Sequence, residues 1–232
     1  MRAQRTRRPA VVPLLLRLGA AGAAVFLTVA LSESTSSAAF TAGTTDGGNK
    51  VTAATDFCTS PGSSTLTATA DTTAFASQPT SNAGGTATSL TVISANTVDA
   101  RTFLRFSPLP SVPSGCVLTA VLKIRASAPT AGRLIDVYRV DPAAAVWTEA
   151  SITWNTKPAH TGSPVSSASL GAAGVQQWTV TPLMSALYAG VNNGFVVRDQ
   201  TEGTINTAYT QSYDSREAAT VANRPQLVLT WN

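Results

Sequence analysis

Apolar and polar residues alternate with a period of two along most of this chain from about residue 65 onward. The clearest case sets Leu118, Ala120, Leu122, Ile124 and Ala126 against Thr119, Val121, Lys123 and Arg125. One apolar face and one mixed face mark an antiparallel strand buried on one side. The same period predicts strands at Thr65–Ala70, Ser89–Ser94, Thr102–Phe106, Ile135–Val140, Gln176–Val180, Gly194–Arg198, Tyr209–Tyr213 and Gln226–Trp231. Between the first two, Asp71 to Gly85 reads as a polar, glycine-containing loop. Thr181–Ala189 breaks the pattern, because Leu183, Met184 and Leu187 fall at helical spacing. It reads as a short helix entered through Thr181 as cap, with Pro182 as first helical residue. Many short strands punctuated by turns, with one short helix, predict an all-β fold: an antiparallel β-sandwich of jelly-roll type.

Ahead of the alternating region the pattern differs. Arg2, Arg5, Arg7 and Arg8 precede an apolar run from Val11 to Leu31, and Ser32–Ser37 leads to Ala38-Ala39. A basic head, an apolar middle and small residues at a cut point make a secretory signal. Ser37 and Ala39 fill the small positions, which places cleavage after Ala39. The rival is an uncleaved anchor, since about 20 apolar residues span a bilayer; Arg17 inside the run and the lack of a later basic stop weigh against it. The expected organisation is a signal at 1–39, a turn-rich leader at 40–64 with a short strand near Lys50–Ala54, and a β-sandwich domain at 65–232.

That division changes the charge. Of the 16 basic and 12 acidic residues, five and one lie in the signal, leaving 11 of each. The apparent basic balance belongs to export, and the remaining lysines and arginines are scattered, so nucleic acid is not an expected partner. Neither is a membrane, once the signal is removed. In a secreted chain the only two cysteines, Cys58 and Cys116, are expected to form a disulfide. Two separate buried thiols are the alternative.

Little in the chain points to catalysis. His160 is the only histidine, in a Pro158–Gly162 loop, and no Gly-x-Ser-x-Gly turn surrounds any serine. No His/Cys metal cluster can be assembled. Asp136, Asp141, Glu149, Asp199, Glu202, Asp214 and Glu217 are spread through the sequence, and nothing in their spacing forces a pair of the kind sugar cleavage needs. No cofactor is expected. A structural calcium ion is supported by no consecutive Asp-x-Asp-x-Asp loop. The aromatic residues divide between core and surface. Trp178 and Trp231, on alternating strands, are expected in the core. Trp147 follows the small run Ala143–Val146 and is the candidate for an exposed sugar-stacking ring, whereas Trp154, beside Ile152, is expected to be packed. Tyr209 and Tyr213 share one strand face and join Trp147 as candidate ligand contacts.

The most specific stretch is Trp147-Thr148-Glu149-Ala150-Ser151-Ile152-Thr153-Trp154-Asn155-Thr156-Lys157-Pro158. It resembles the Trp-Thr-Glu…Thr-Trp-Asn-x-x-Pro segment of DNRLRE domains, which overlap a carbohydrate-binding module family found beside alginate lyases. Around it, Asp71–Gly85 resembles the family's opening strand and Asn/Gly loop, Arg101–Phe106 its Leu-Arg-Phe strand, and Asn193–Asp199 and Ser215-Arg216-Glu217-Ala218 its later pieces. The resemblance covers about residues 65–232. It implies a jelly-roll sandwich with a non-catalytic, extracellular role, secreted and in some settings held at the cell surface. Glu149, Trp154, Asn155, Pro158 and Arg216 then become structural motif residues, Glu149 and Asn155 by bonding backbone groups. The partner it implies is a polysaccharide or cell-wall glycan. With no catalytic module in this sequence, the alternative is a structural or adhesive surface or matrix protein without a sugar ligand.

Overall fold

In the computed structural model, residues 57–232 are described, except 83, 205 and 206. The apolar N-terminal segment, the proposed cut after Ala39 and the strand expected near Lys50–Ala54 lie outside the described residues.

Among the described residues, eleven antiparallel strands and one α-helix follow in order: β1 (Gly62–Thr67), β2 (Ala70–Phe75), β3 (Ser89–Ser94), β4 (Ala100–Arg105), β5 (Leu118–Ala128), β6 (Leu134–Val140), β7 (His160–Ala168), β8 (Gly174–Thr179), α1 (Thr181–Ala189), β9 (Phe195–Asp199), β10 (Tyr209–Asp214) and β11 (Gln226–Trp231). They form one sheet with the path β1-β11-β5-β10-β3-β4-β9-β6-β7, with β8 added beside β5 and β2 beside β4. The two halves of the path meet at one register pair, Ile93 with Ala100. There Thr73, Thr91 and Thr102 tie the strands through side chains: Thr91 N–H donates to Thr73 Oγ1, and Thr102 Oγ1 donates to Thr91 O. The sheet curls so that inward residues of both halves share one core, an antiparallel β-sandwich as the alternation predicts.

That core holds Leu122, Ile124, Trp178, Tyr213, Leu227 and Leu229 from one half, and Leu104, Ile135, Val137, Phe195 and Val197 from the other. Trp178 is fully buried and its Nε1 donates to Ile135 O at 2.8 Å, the partner a buried indole needs. Leu183, Met184 and Leu187 of α1 join the same core. The helix is where the pattern placed it, but Thr181 is not its cap. The cap is Val180, and the Thr181 hydroxyl accepts the Ala120 N–H at 2.8 Å. Paired strand β8 ends at Thr179, opposite Val121, so Thr181 satisfies the next open group of β5 instead.

Two strands escaped the pattern. β2 occupies the stretch whose polar composition reads as loop, although the family resemblance implies an opening strand there. All but its last residue are buried, because both of its faces are covered, and a strand covered on both faces shows no alternation. β7 contains Gly162 and Pro164, the ordinary marks of a turn, yet pairs with β6 at the end of the sheet path. Its exposed edge tolerates both residues. At Gly194 (φ +77°) a Cβ would lie 2.0 Å from Leu104 O, so only glycine lets β9 enter the sheet beside β4. Cys58 and Cys116 are disulfide-bonded with a Cα–Cα distance of 4.2 Å. The bond ties the approach to β1 to the approach to β5.

Candidate functional site

On the face of β2, β4, β6 and β9 turned away from the main core, the chain lays down a second apolar cluster: Ala70, Ala74, Phe103, Val140 and Val196, covered by Trp147 and Ile152. The covering residues come from the tryptophan segment. Trp147 is 4% exposed, packs edge-on to Phe103 at 6.3 Å, and donates its Nε1–H to Asn193 O at 2.9 Å. The Arg105 guanidinium lies 5.1 Å from the ring centroid and donates to Trp147 O at 2.8 Å. The expectation of an open stacking ring at Trp147 is therefore corrected: it plugs the sheet. The small run before it is a loop, as read, but that loop is folded against the sheet by Asn193, whose Nδ2 donates to Asp141 O and Ala144 O.

Trp154 packs against the second cluster as expected, although less deeply than Trp147. It is half-buried at the edge of the second cluster, with Lys157 Nζ 3.7 Å and the Arg101 guanidinium 5.3 Å from its ring centroid. Nearby Tyr138 and His160 touch at 4.4 Å. Burial, then the charges of Arg101 and Arg198, holds the His160 imidazole below its ordinary value. Asn155 is exposed and its side chain bonds no backbone group among the described residues; its backbone N–H donates to Pro79 O. Pro158 is half-buried, two residues ahead of β7.

The tyrosines share one face, as the strand period requires, but that face is the core. Tyr213 is fully buried and donates to Gln176 Oε1 at 2.9 Å; burial raises its phenol well above the ordinary value. It presents nothing to a ligand, which corrects its candidacy. Tyr209 is half-buried, with the Arg133 guanidinium 4.1 Å from its ring centroid.

Carboxylates that are distant in sequence do meet. One oxygen from each of Asp71, Glu149 and Glu217 lies within 4.8 Å of the others. Asp71, on β2, is 1% exposed. Its Oδ2 accepts the Arg216 N–H at 2.7 Å, while Oδ1 has no partner among the described residues. Glu149 Oε1 accepts the Asp71 N–H at 2.9 Å and Arg216 Nη1–H at 2.7 Å. Glu217 Oε2 accepts Ser215 Oγ–H at 3.0 Å. Burial raises the Asp71 carboxyl to about 7; the Arg216 N–H bond opposes this, and the charges of Glu217 and Glu149 add to it. Asn82 holds the Glu149 turn by donating to Glu149 O and to Ile152 O. Glu149 and Arg216 thus act through hydrogen bonds that tie three segments, Glu149 bonding a backbone group as the resemblance implies. Asp71 had no signal beyond a polar residue flanked by Ala70 and Thr72 in a stretch that reads as loop.

A groove that sequence reading missed lies on the opposite outer face, over β5, β8 and β11. Registry sets Gln226, Lys123 and Gln177 side by side across the three strands. Arg125 and Val175 form the next row, and Asn223 and Arg224 from the turn before β11 make a wall. Arg125 pairs with Asp214 at 2.8 Å. Lys123, Gln177 and Gln226 have no side-chain hydrogen bond among the described residues, so their donors and acceptors face the groove. Among the described residues, no carboxylate or aromatic ring lines it.

The profile of carbohydrate-binding module family 96 matches residues 62–231, nearly all of the described fold. The chain belongs to that family, as the tryptophan segment implied. No curated protein matches it.

Proposed function

We propose that this is an exported, non-catalytic module that holds an acidic extracellular polysaccharide in the groove over β5, β8 and β11. The observation that carries this reading is the cross-strand row Gln226–Lys123–Gln177. Two free amides offer both donors and acceptors to sugar hydroxyls. Between them Lys123 offers a charge to a uronate or sulfate, and Arg224 at the wall adds a second. Val175, half-exposed, gives an apolar floor for the CH face of a sugar ring. Family membership supports carbohydrate as the ligand class, the basic-then-apolar N-terminus supports export, and the cations lining the groove support an acidic glycan over a neutral one.

The test is affinity electrophoresis of the purified chain in gels containing a polyuronate or a neutral glucan. Retardation is expected with the polyuronate alone, and it should weaken with added salt. Lys123→Ala should weaken binding roughly ten- to a hundredfold, the range for one charge-assisted hydrogen bond. Its melting temperature should hardly change, because the side chain points out of the core. Retardation of Lys123→Ala equal to wild type would move the site elsewhere. Failure to bind any polysaccharide would leave the structural or adhesive role.

A further inference from the structure

Three segments bring carboxylates together at one place: Asp71 from β2, Glu149 from the tryptophan segment and Glu217 from the turn after β10. We propose that these three form a calcium-binding site that locks the tryptophan segment and the turn after β10 onto the edge of the sandwich. The proposal is independent of the polysaccharide groove.

Charge is the first argument. When all three are ionised the carboxylates carry three negative charges, and Arg216, which pairs with Glu149 at 2.7 Å and Glu217 at 3.4 Å, returns one. The formal balance of minus two is that of a site for one divalent cation. Unused oxygens are the second. Asp71 Oδ1 is buried and has no hydrogen-bond partner among the described residues, which is costly for a carboxylate unless a cation or proton meets it. Glu149 uses Oε1 for both of its bonds, which leaves Oε2 without a hydrogen bond among the described residues. Geometry is the third. Oxygens sharing one calcium ion at about 2.4 Å lie at most about 4.8 Å apart, and the three carboxylates meet that limit. An all-oxygen set drawn from three separate segments suits calcium, which accepts irregular coordination, better than magnesium, which demands a near-ideal octahedron. A shallow groove lined by Asn82, Gly85, Thr86, Thr148 and Ala150 opens beside Glu149.

The experiment is calorimetric titration of the full chain with CaCl2, after stripping with EDTA, together with thermal unfolding at each calcium level. Binding of one ion per chain is expected, with a melting temperature that climbs as calcium rises, because the ion binds the folded state alone. Glu217→Gln changes a partly exposed carboxylate and should fold, yet lose both the binding heat and the calcium-dependent shift. Asp71→Asn should lose them as well; should that variant fail to fold, Glu217→Gln decides. Absence of heat and shift in the wild type at roughly millimolar calcium, the affinity range of extracellular modules, overturns the proposal. Undiminished calcium binding by Glu217→Gln overturns it too. No polysaccharide is present in this experiment, so its outcome does not depend on the groove.

Discussion

Replacing Trp147 with alanine is expected to destabilise the protein by about 3–5 kcal/mol, the cost of truncating a packed large aromatic. The ring is 4% exposed and covers Phe103, Val140 and Val196, so its removal leaves a cavity over the outer face of β4, β6 and β9. Two polar groups lose partners in the same step. Asn193 O loses the indole donor, and the Arg105 guanidinium loses the ring beneath it. The groove over β5, β8 and β11 lies on the other half of the sheet and keeps its side chains. Chemical denaturation should therefore show a large drop in stability, while polyuronate retardation below the melting temperature persists. A Trp147→Ala protein of wild-type stability that no longer binds would make Trp147 a ligand contact after all.

The second large effect comes from the disulfide. Cys58 and Cys116 are 58 residues apart in sequence, and closing a loop of that size restricts the unfolded chain by about 4 kcal/mol in the chain-entropy estimate. The Cys58→Ser/Cys116→Ser variant should unfold at a markedly lower temperature. The wild type should match it only after reduction. Free-thiol labelling of the native oxidised protein should find neither cysteine; labelling of both would remove the basis of this expectation.

Much of the sandwich was legible because its strands have one wet face. β5 alternates buried Leu122 and Ile124 with half-buried Lys123 and Arg125, and β3 and β11 fall at the boundaries that alternation predicts. β2 was hidden to the pattern for the opposite reason: with both faces covered, small and polar residues such as Thr72 and Thr73 are as buried as Ala74. The tryptophan segment was recognisable as a motif, yet the burial of Trp147 was not. Local sequence does not say that Trp147 meets Phe103, which lies on another strand. The carboxylate cluster and the groove are tertiary in the same way. Asp71 and Arg216 are 145 residues apart, and the row Gln226–Lys123–Gln177 exists only once three strands are in register. Neither has a spacing that a linear reading can find.

Pro164 sits in exposed strand β7, which among the described residues pairs only with β6. An open strand edge is a template for a neighbouring molecule to extend the ladder, chain upon chain. Proline interrupts that template because it has no N–H to offer, and Gly162 (φ +83°) bends the backbone out of the extended form just before it. Even at high protein concentration, this margin of the sandwich therefore resists growing into a fibre.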